Sequence, residues 1–290
     1  MGDIVFFSFL SIQVDLEALL LARIKAATEG NLLLYTDHLV DAMKEGKLSA
    51  VVVEKGMEAV ASLCEQRDDR AEANRVMFGM TLSGIPLLLE VMREHKGSEE
   101  IARVSFLAVW YLSRNEDIKR IVGESGGIPL LLEMLEEHGK RNVEVAKNGV
   151  TVLHNLSINN DNRKRIAEAG GIAMILSMME EHGASNVHVA KEGCMALTNL
   201  ANNNDDNRKR IGEVGGIAMI LRMMEVHGAS NAEVAKNGCV SLWNLAFNNT
   251  DNKRKILAAN GVSMVERMKS TWASNADVQT NADGALGKLR

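Results

Sequence analysis

Three asparagines stand at equivalent points of three similar stretches of sequence. VLHNLSINN, ALTNLANNN and SLWNLAFNN contain Asn155, Asn199 and Asn244, each between two leucines. Asparagine is a mediocre helix former, because its amide competes for nearby backbone groups. The same amide offers a donor and an acceptor together, so it can bind a peptide unit whatever side chain that unit carries. Two interpretations follow: the asparagines bind the main chain of a ligand, or they bond the backbone of neighbouring helices.

The elements that position these asparagines recur with a nearly constant period. GGI occurs at 126–128, 170–172 and 215–217, with divergent copies at 83–85 and 260–262, and successive copies are 43, 44, 45 and 45 residues apart. Two further markers keep this period: NRKRI or a variant of it before GGI, starting at Asp117, Asn162, Asn207 and Asn252, and a VAKxG context at Gly149, Gly193 and Gly238. A period in the low forties of helical sequence is typical of armadillo and HEAT solenoids.

Each period predicts three helices. In 161–201, DNRKRIAEAG predicts a short first helix that begins at an Asp/Asn cap and ends at Gly170 and Gly171. IAMILSMMEEHG predicts an apolar second helix, and VHVAKEGCMALTNLA predicts a third helix after a short turn. The glycine inside the third helix costs about 1 kcal/mol of helix propensity, which indicates that a neighbouring helix approaches closely there.

The combined pattern NxxxIxxAGGIxxLLxMLxxH…VxxxGxxxLxNLA resembles the armadillo repeat of catenins and import adaptors, and the longer loop before its third helix resembles armadillo regions of Roco-type kinases. The resemblance implies an all-α fold, a right-handed α-α superhelix (armadillo solenoid) with three helices per repeat. We expect an N-terminal apolar segment and capping helix at 1–30 and an armadillo domain at 31–290. The expected repeats are a partial one at 31–64 and five at about 65–113, 114–157, 158–201, 202–246 and 247–290.

The resemblance also assigns candidate site residues. In catenins and import adaptors the matching asparagine binds the main chain of an extended peptide, which makes Asn155, Asn199 and Asn244 peptide-binding candidates. On a helical wheel Asn148 falls in the same sector as Asn155. Tyr111 takes the asparagine position one repeat earlier, and Ser62 and Lys288 take it at the two ends. The tryptophans that clamp lysine stems in import adaptors are missing, because those positions hold Leu107, Thr151, Met195 and Val240.

Basic and aromatic residues also recur on the predicted third helices. One position holds Arg103, Lys147, Lys191 and Lys236. These side chains either contact acidic groups of a ligand or form a solvated face. Trp110 and Trp243 stand one residue before the asparagine position, where they either anchor a ligand or pack across adjacent third helices.

Histidines recur at the end of the second helix. They are His95, His138, His182 and His227. Ligands of one zinc ion lie about 2 Å from it, whereas packed helices lie about 10 Å apart. We therefore expect no metal site and no cofactor, and we interpret the histidines as caps on the C-terminal dipole of their own helix. We interpret the NRKR clusters as a solvated face.

Composition excludes several classes of protein. The net charge of −5 argues against a duplex-binding surface, so no nucleic acid partner is expected. The three cysteines lack a CxxC spacing and fit reduced thiols, which favours a cytoplasmic or alternatively nuclear protein. The apolar segment 4–14 is shorter than the roughly 20 residues that cross a bilayer. We expect no stable membrane insertion, and self-association through this segment is a further expectation.

No nucleophile–base pair, phosphate-binding loop or carboxylate dyad stands out, so the chain is not expected to be an enzyme. The sequence favours a protein-interaction scaffold whose ligand lies in the concave groove of the third helices within 101–246. An alternative function, implied by the resemblance to armadillo-only proteins, is an exchange factor or chaperone-like clamp for a small GTPase. A change in nucleotide release by a candidate GTPase would distinguish the two.

Overall fold

The computed structural model describes residues 17–26, 36–47, 49–81 and 83–290, and all regular structure in this part of the chain is helical. The chain divides into two compact units, Met1–Met134 and Leu135–Arg290. The apolar segment 4–14, with the self-association predicted for it, lies outside the described residues. The division into domains and repeats drawn from the sequence stays a prediction.

In the part of the first unit that the structure describes, the first helix is α1, at 17–26, whose Leu20 and Ile24 are buried. Seven further helices follow among the described residues: α2 Thr36–Glu45, α3 Ala50–Cys64, α4 Asp69–Val76, α5 Gly84–Glu94, α6 Glu99–Leu112, α7 Glu116–Glu124 and α8 Gly127–His138. The first unit ends at Met134, within α8. A π-helical turn, Met77–Thr81, continues α4.

The second unit consists of a long helix followed by three helix triplets. Its helices are α9 Val143–Ser157, α10 Asn160–Glu168, α11 Gly171–His182, α12 Val187–Ala201, α13 Asp205–Glu213, α14 Gly216–His227, α15 Ala232–Ala246, α16 Thr250–Ala258, α17 Gly261–Thr271 and α18 Ala276–Leu289. In each triplet a short first helix, an apolar second helix and a long third helix follow one another. Asparagine side chains cap the first and third helices by accepting from backbone N–H groups of the first turn.

The GGI motif makes the turn between the first and second helices. Its first position has positive φ in every copy, at Ser83, Gly126, Gly170, Gly215 and Asn260. The second position is glycine because space is lacking: a Cβ at Gly171 would lie 2.8 Å from the carbonyl oxygen of Ile166. The motif therefore fixes the angle at which the second helix leaves the first.

The register of the NRKRI marker differs in the first unit. Val122 packs against Gly127, and Ile166 packs against Gly171. In each pair the apolar residue precedes the glycine by five residues. Ile118, and not Asp117, therefore takes the buried asparagine position, and alignment of DIKRI with NRKRI was wrong by one residue. Charge similarity suggested the wrong register, whereas burial of the apolar residue before the turn fixes the right one.

The asparagine that opens this marker is a buried structural residue. Asn207 Nδ2 donates to Leu200 O at 2.9 Å, and Asn252 Nδ2 donates to Leu245 O at 3.1 Å and to Arg208 O at 2.7 Å. Carbonyls at the C-terminal end of a helix have no partner within the helix. The asparagine amide supplies a hydrogen-bond donor to such a carbonyl of the preceding third helix.

The basic residues of the marker are not simply a solvated face, and that interpretation was wrong for several of them. Arg208 is 5% exposed and donates to Ala201 O at 2.9 Å. Arg210 Nη1 reaches Ala167 O, and Lys255 Nζ reaches Gly212 O, each one repeat earlier. Long cationic side chains bond carbonyls that the stacked helices leave open. Lys164 and Lys209 do remain solvated, with 74% and 72% exposure.

The recurring histidines link neighbouring repeats. His182 Nε2 donates to Gly139 O at 2.8 Å, and His227 Nε2 donates to Gly183 O at 2.7 Å. In the first unit His95 Nε2 makes the same contact with Lys47 O, and in the last triplet Trp272 Nε1 donates to Gly228 O. The expectation that each histidine caps its own helix was therefore wrong, because the ring reaches the turn of the preceding repeat.

No single helix among the described residues is long and apolar enough to cross a bilayer. One pair of segments, Asp69–Thr81 and Gly84–Glu94, reaches that length and composition together, but it is bent by 75°.

Candidate functional site

The third helices α9, α12, α15 and α18 pack side by side in sequence order in the second unit. Asn155, Asn199 and Asn244, here called the asparagine ladder, are all half-buried. Asn199 Nδ2 donates to His154 O and Asn244 Nδ2 donates to Thr198 O, each over 3.4 Å. Both bonds are at the long limit of hydrogen-bond geometry, and the amide oxygens of Asn199 and Asn244 accept no bond from the described residues. Asn199 and Asn244 therefore contact the neighbouring third helix and keep acceptor capacity.

Asn148 does not face an open groove, and that expectation was wrong. Asn148 is 3% exposed, and its Oδ1 has no hydrogen-bond partner among the described residues. The equivalent positions one and two repeats later, Glu192 and Asn237, are 5% and 8% exposed. The helical wheel placed this position on the groove flank, but the tight packing of neighbouring third helices covers it.

Glu192 forms a buried ion-pair cluster between α9 and α12. Its carboxylate lies 2.7 Å from His154 Nδ1 and 3.0 Å from Lys191 Nζ. Although burial acts to raise the pKa of Glu192, the hydrogen bond and charge of His154, together with Lys191, lower it to about 2. An ionised Glu192 accepts a bond from His154 Nδ1–H. His154 Nε2 has no partner among the described residues, and it stands beside the asparagine ladder.

The basic residues of the third helices are paired with acidic ones. Lys236 Nζ lies 2.8 Å from Glu233, Lys147 pairs with Glu144, and Lys191 pairs with Glu192. The lysine side chains are 24% to 29% exposed. The face they form carries both charges in alternation instead of a continuous positive field.

Aromatic residues gather between α15 and α18. The Trp243 ring lies against Gly284, where an added Cβ would come within 2.4 Å of the ring. Phe247, which follows α15, is 38% exposed, and Lys288 Nζ lies 4.8 Å from the centroid of its ring. The packing alternative for Trp243 is therefore realised. Phe247 was not among the candidate residues. It lies four residues after Trp243, which is one helical turn, and this spacing could have identified it.

The first unit carries its own aromatic and basic cluster. Trp110 and Tyr111 stack with ring centroids 5.0 Å apart, and the Arg114 guanidinium lies 4.6 Å from the Tyr111 ring. Tyr111 Oη donates to Glu65 at 3.2 Å. Burial is the first cause of the raised pKa of Tyr111, followed by the charge of Glu65. Trp110 and Tyr111 are both half-buried, so part of each ring stays accessible.

Carboxylates come together at one place within the described residues. Oxygen atoms of Glu54, Glu58 and Glu100 lie within 4.8 Å of one another. Lys55 bonds Glu58 at 2.8 Å, and Arg103 bonds Glu100 at 3.0 Å and approaches Glu58 to 3.6 Å. The group is an ion-pair network with its own cations. Arg103, a candidate ligand residue, belongs to it.

The family described as "Protein zer-1 homolog-like, C-terminal domain" matches residues 89–289. No protein of curated function matches the chain in sequence.

Solved structures resemble the chain closely in fold. The designed armadillo repeat protein YIII(Dq)4CqI is 19% identical, covers 88% of this chain and 99% of its own, and superposes with a TM-score of 0.72. The designed armadillo repeat protein YIII(Dq.V1)4CPAF, in complex with the peptide (KR)4, is 20% identical over the same shares, with a TM-score of 0.70.

A third similar chain comes from work on a phosphorylation switch in the interaction between cadherin and beta-catenin. It is 17% identical over 94% of this chain and 56% of its own length, with a TM-score of 0.74. These likenesses confirm the expected fold class, the all-α armadillo solenoid.

Proposed function

The chain belongs to the family of zer-1 homolog-like C-terminal domains, and from that premise we propose that it is a non-enzymatic scaffold that binds an extended peptide segment of a partner protein. The armadillo fold supports the proposal, because a solenoid offers a long open surface. A designed relative in fold holds the peptide (KR)4, and another comes from a study of cadherin and beta-catenin.

The asparagine ladder is the observation that carries the proposal. Asn199 and Asn244 each use one N–H in a long bond to the neighbouring helix. The second N–H and the amide oxygen remain for a ligand, which is the donor and acceptor pair that a peptide unit requires. A strand-like segment lying across α12 and α15 would meet such an amide on each of these helices.

Charge on this face argues for a ligand of mixed character. Lys147, Lys191 and Lys236 each have a carboxylate partner, so a strongly basic or strongly acidic segment gains little net attraction. The positions that hold tryptophan in import adaptors are Thr151, Met195 and Val240. We therefore propose that the ligand is not a lysine-rich nuclear signal.

The proposal is tested by affinity capture from a lysate of the source cells. Wild type is compared with Asn155→Ala/Asn199→Ala/Asn244→Ala and with Lys164→Ala/Lys209→Ala/Arg254→Ala. The second variant changes side chains that are 74%, 72% and 75% exposed on first helices. Circular dichroism establishes that all three proteins fold. We expect a partner that wild type and the lysine/arginine variant retain and that the asparagine variant loses. Retention of every partner by the asparagine variant would contradict the proposal.

The alternative function, regulation of a small GTPase, stays a prediction whose test is nucleotide release across a panel of GTPases. We propose a cytoplasmic location, with the nucleus as the alternative. Cys64, Cys194 and Cys239 are free and buried, and burial raises the pKa of each thiol to about 12, a state that suits a reducing compartment.

A further inference from the structure

The contact between the ends of α15 and α18 differs from the rest of the third-helix face, and four residues define it as the α15–α18 subsite: Trp243, Asn244, Phe247 and Lys288. We propose that this subsite selects ligands in which a carboxylate stands beside a large apolar side chain. The inference rests on the proposed function, because it assigns a side-chain preference to the peptide bound by the asparagine ladder.

Two rings form the apolar part of the subsite. The Trp243 ring rests on Gly284, which holds its plane against α18. Phe247 lies one helical turn further along and is 38% exposed. The exposed part of these rings can contact an aliphatic or aromatic side chain of a ligand.

Neighbouring steps of the face lack this apolar surface. Trp243 and Phe247 stand one residue before and three residues after Asn244. The equivalent residues are Thr198 and Asn202 around Asn199, and His154 and Ile158 around Asn155. Ile158 is the one exposed large apolar side chain of those four. Among the three ladder positions of the second unit, a large apolar group of a ligand therefore finds two rings only at Asn244.

Charge supplies the second part of the argument. Lys147, Lys191 and Lys236 all pair with a carboxylate, whereas Lys288 forms no ion pair with any described residue. Its ammonium lies 4.8 Å from the Phe247 ring centroid, and the Arg208 guanidinium lies 5.5 Å from the same centroid. Arg208 pairs with Asp205, so the subsite retains the positive charge of Lys288. A ligand carboxylate neutralises that charge, and a ligand cation is repelled by it.

Geometry joins the two parts to the main-chain site. Asn244 stands between Trp243 and Phe247 in sequence, and Lys288 occupies the ladder position of the next third helix. A peptide held by the Asn244 amide thus presents side chains two residues apart, which share one face of an extended chain, to the rings and to the ammonium. The carboxylate comes either from an acidic side chain or from the C-terminus of the ligand.

Probe peptides test the proposal on the full chain. The first set is acetylated and amidated Gly-Ser-Gly-Leu-Gly-Glu-Gly-Ser-Gly, with Gln or Lys in place of Glu. The second set is acetylated Gly-Ser-Gly-Ser-Gly-Leu with a free or an amidated C-terminus. The readout is the indole ¹⁵N–¹H signal of Trp243, assigned by its loss in Trp243→Phe and followed at low ionic strength, where exposed ion pairs are least screened.

We expect the Glu peptide or the free-acid peptide to shift the Trp243 signal and to bind about threefold to fivefold more tightly than its neutral counterpart, the range of an exposed ion pair. Preference for the first identifies an acidic side chain, and preference for the second identifies a ligand C-terminus. Lys288→Met should abolish the preference, and Lys288→Arg should keep it. Equal binding of charged and neutral probes, no binding of any probe, or an unchanged preference in Lys288→Met would overturn the proposal.

Separate variants distinguish this inference from the proposed function. Asn155→Ala/Asn199→Ala/Asn244→Ala should weaken every probe alike, because it removes main-chain contacts, while the ratio between charged and neutral probes persists. If that variant changes no affinity but Lys288→Met abolishes the charge preference, the subsite stands and the main-chain site fails. If the reverse holds, the main-chain site stands without the subsite.

Discussion

Asn252 shows how a single polar side chain stabilises a contact between two repeats. Its amide satisfies Arg208 O and Leu245 O at once, and it is 1% exposed. The amide fits there because position 212 is glycine: an added Cβ would lie 1.8 Å from Asn252 Oδ1. One residue therefore provides the bonds and another provides the space, and the two lie 40 residues apart.

Gly212→Ala is accordingly expected to destabilise the protein. The new methyl group must displace the buried Asn252 amide and leave two carbonyls without a partner, which costs about 2–4 kcal/mol of unfolding free energy. Gly287→Ala is the matched control, because its Cβ would meet nothing within 4 Å and alanine gains up to about 1 kcal/mol of helix propensity. Urea unfolding measures both. Equal stability of the two variants would show that Asn252 adapts without loss.

Glu192 should make stability depend on pH. Its folded-state pKa, about 2, lies below the ordinary value of 4.5. A depressed carboxyl pKa contributes stability that is complete above pH 4.5 and is lost as the pH falls toward 2. That contribution is about 3 kcal/mol at neutral pH.

The measurement is urea unfolding of wild type and Glu192→Gln from pH 7 to pH 3. The deficit of the variant should stay constant down to about pH 5 and then shrink with further acidification. Glu233→Gln is the control: its carboxylate is 53% exposed in the pair with Lys236, so its effect should stay below about 1 kcal/mol. A deficit of Glu192→Gln that is as large at pH 3 as at pH 7 would exclude the ion-pair explanation.

At the scale of the helix, each second helix of the triplets carries one ring at its C-terminal end. That ring donates a hydrogen bond to a carbonyl that follows the second helix of the preceding repeat. Histidine has this role in two triplets of the second unit, and Trp272 has it in the last one. The two ring types share one property, an N–H that reaches a backbone carbonyl about 2.7 to 2.8 Å away. Position 272 therefore requires a ring donor more than it requires tryptophan.

Trp272→Phe is expected to lower the unfolding free energy by about 1–2 kcal/mol, because Gly228 O loses its donor while most of the ring packing remains. Trp272→His should restore part of that loss by supplying Nε2–H. Thermal or urea unfolding of the two variants beside wild type gives the comparison. If the phenylalanine and histidine variants are equally stable, the hydrogen bond contributes nothing and the ring acts only by packing.

Sequence predicted the helices well because their boundaries depend on local chemistry. Val187 begins α12 and Gly170 turns the chain toward α11, as the Asn caps and the glycine pair indicate. Contacts between repeats were harder to predict. Charge alone made Arg208 look solvated, and His182 was assigned to its own helix, because only the stacking of repeats shows which carbonyls lie within their reach.

One repeat of the first unit, at about 65–113, is longer than the later repeats, and its extra residues show the same limit. Asn74 donates to Leu63 O, and Asn207 makes the equivalent bond to Leu200 O. The two residues of the first pair are 11 positions apart, and those of the second pair are 7 apart. The longer loop absorbs most of the insertion. One more residue precedes Gly84, where the π-helical turn Met77–Thr81 takes it up. A π turn has no sequence signature of its own, so the spacing of the repeats alone does not predict it.

The candidate site was predicted in part for a related reason. A helical wheel places Asn155 correctly on a half-buried flank, but it cannot say how closely the next helix approaches. Asn148 is therefore covered, and the Phe247 ring beyond the end of α15 escaped notice. Residues within one helix follow from periodicity, whereas pairs across helices, such as Phe247 with Lys288, require the distance between them.

At the scale of the whole molecule, a stack of repeats is held by contacts between nearest neighbours. In the second unit the third helices contact in sequence order, and each second helix packs on the next. Met268 of α17, which is fully buried, approaches Gly228 at the end of α14. A defect at this contact acts directly on the last triplet and only through intermediate helices on α9.

Met268→Ala should therefore loosen the second unit unevenly. Loss of the buried side chain costs about 2–5 kcal/mol, and we expect amide hydrogen exchange to quicken in α16, α17 and α18, less in α15, and not in α9. Exchange measured by mass spectrometry on the full chain resolves these helices as separate peptides. Leu257→Ala is the control, because that side chain is 42% exposed and its removal should leave the pattern unchanged. Equal acceleration in α9 and α18 would mean that the unit unfolds as one cooperative body, and the nearest-neighbour description would then fail for this protein.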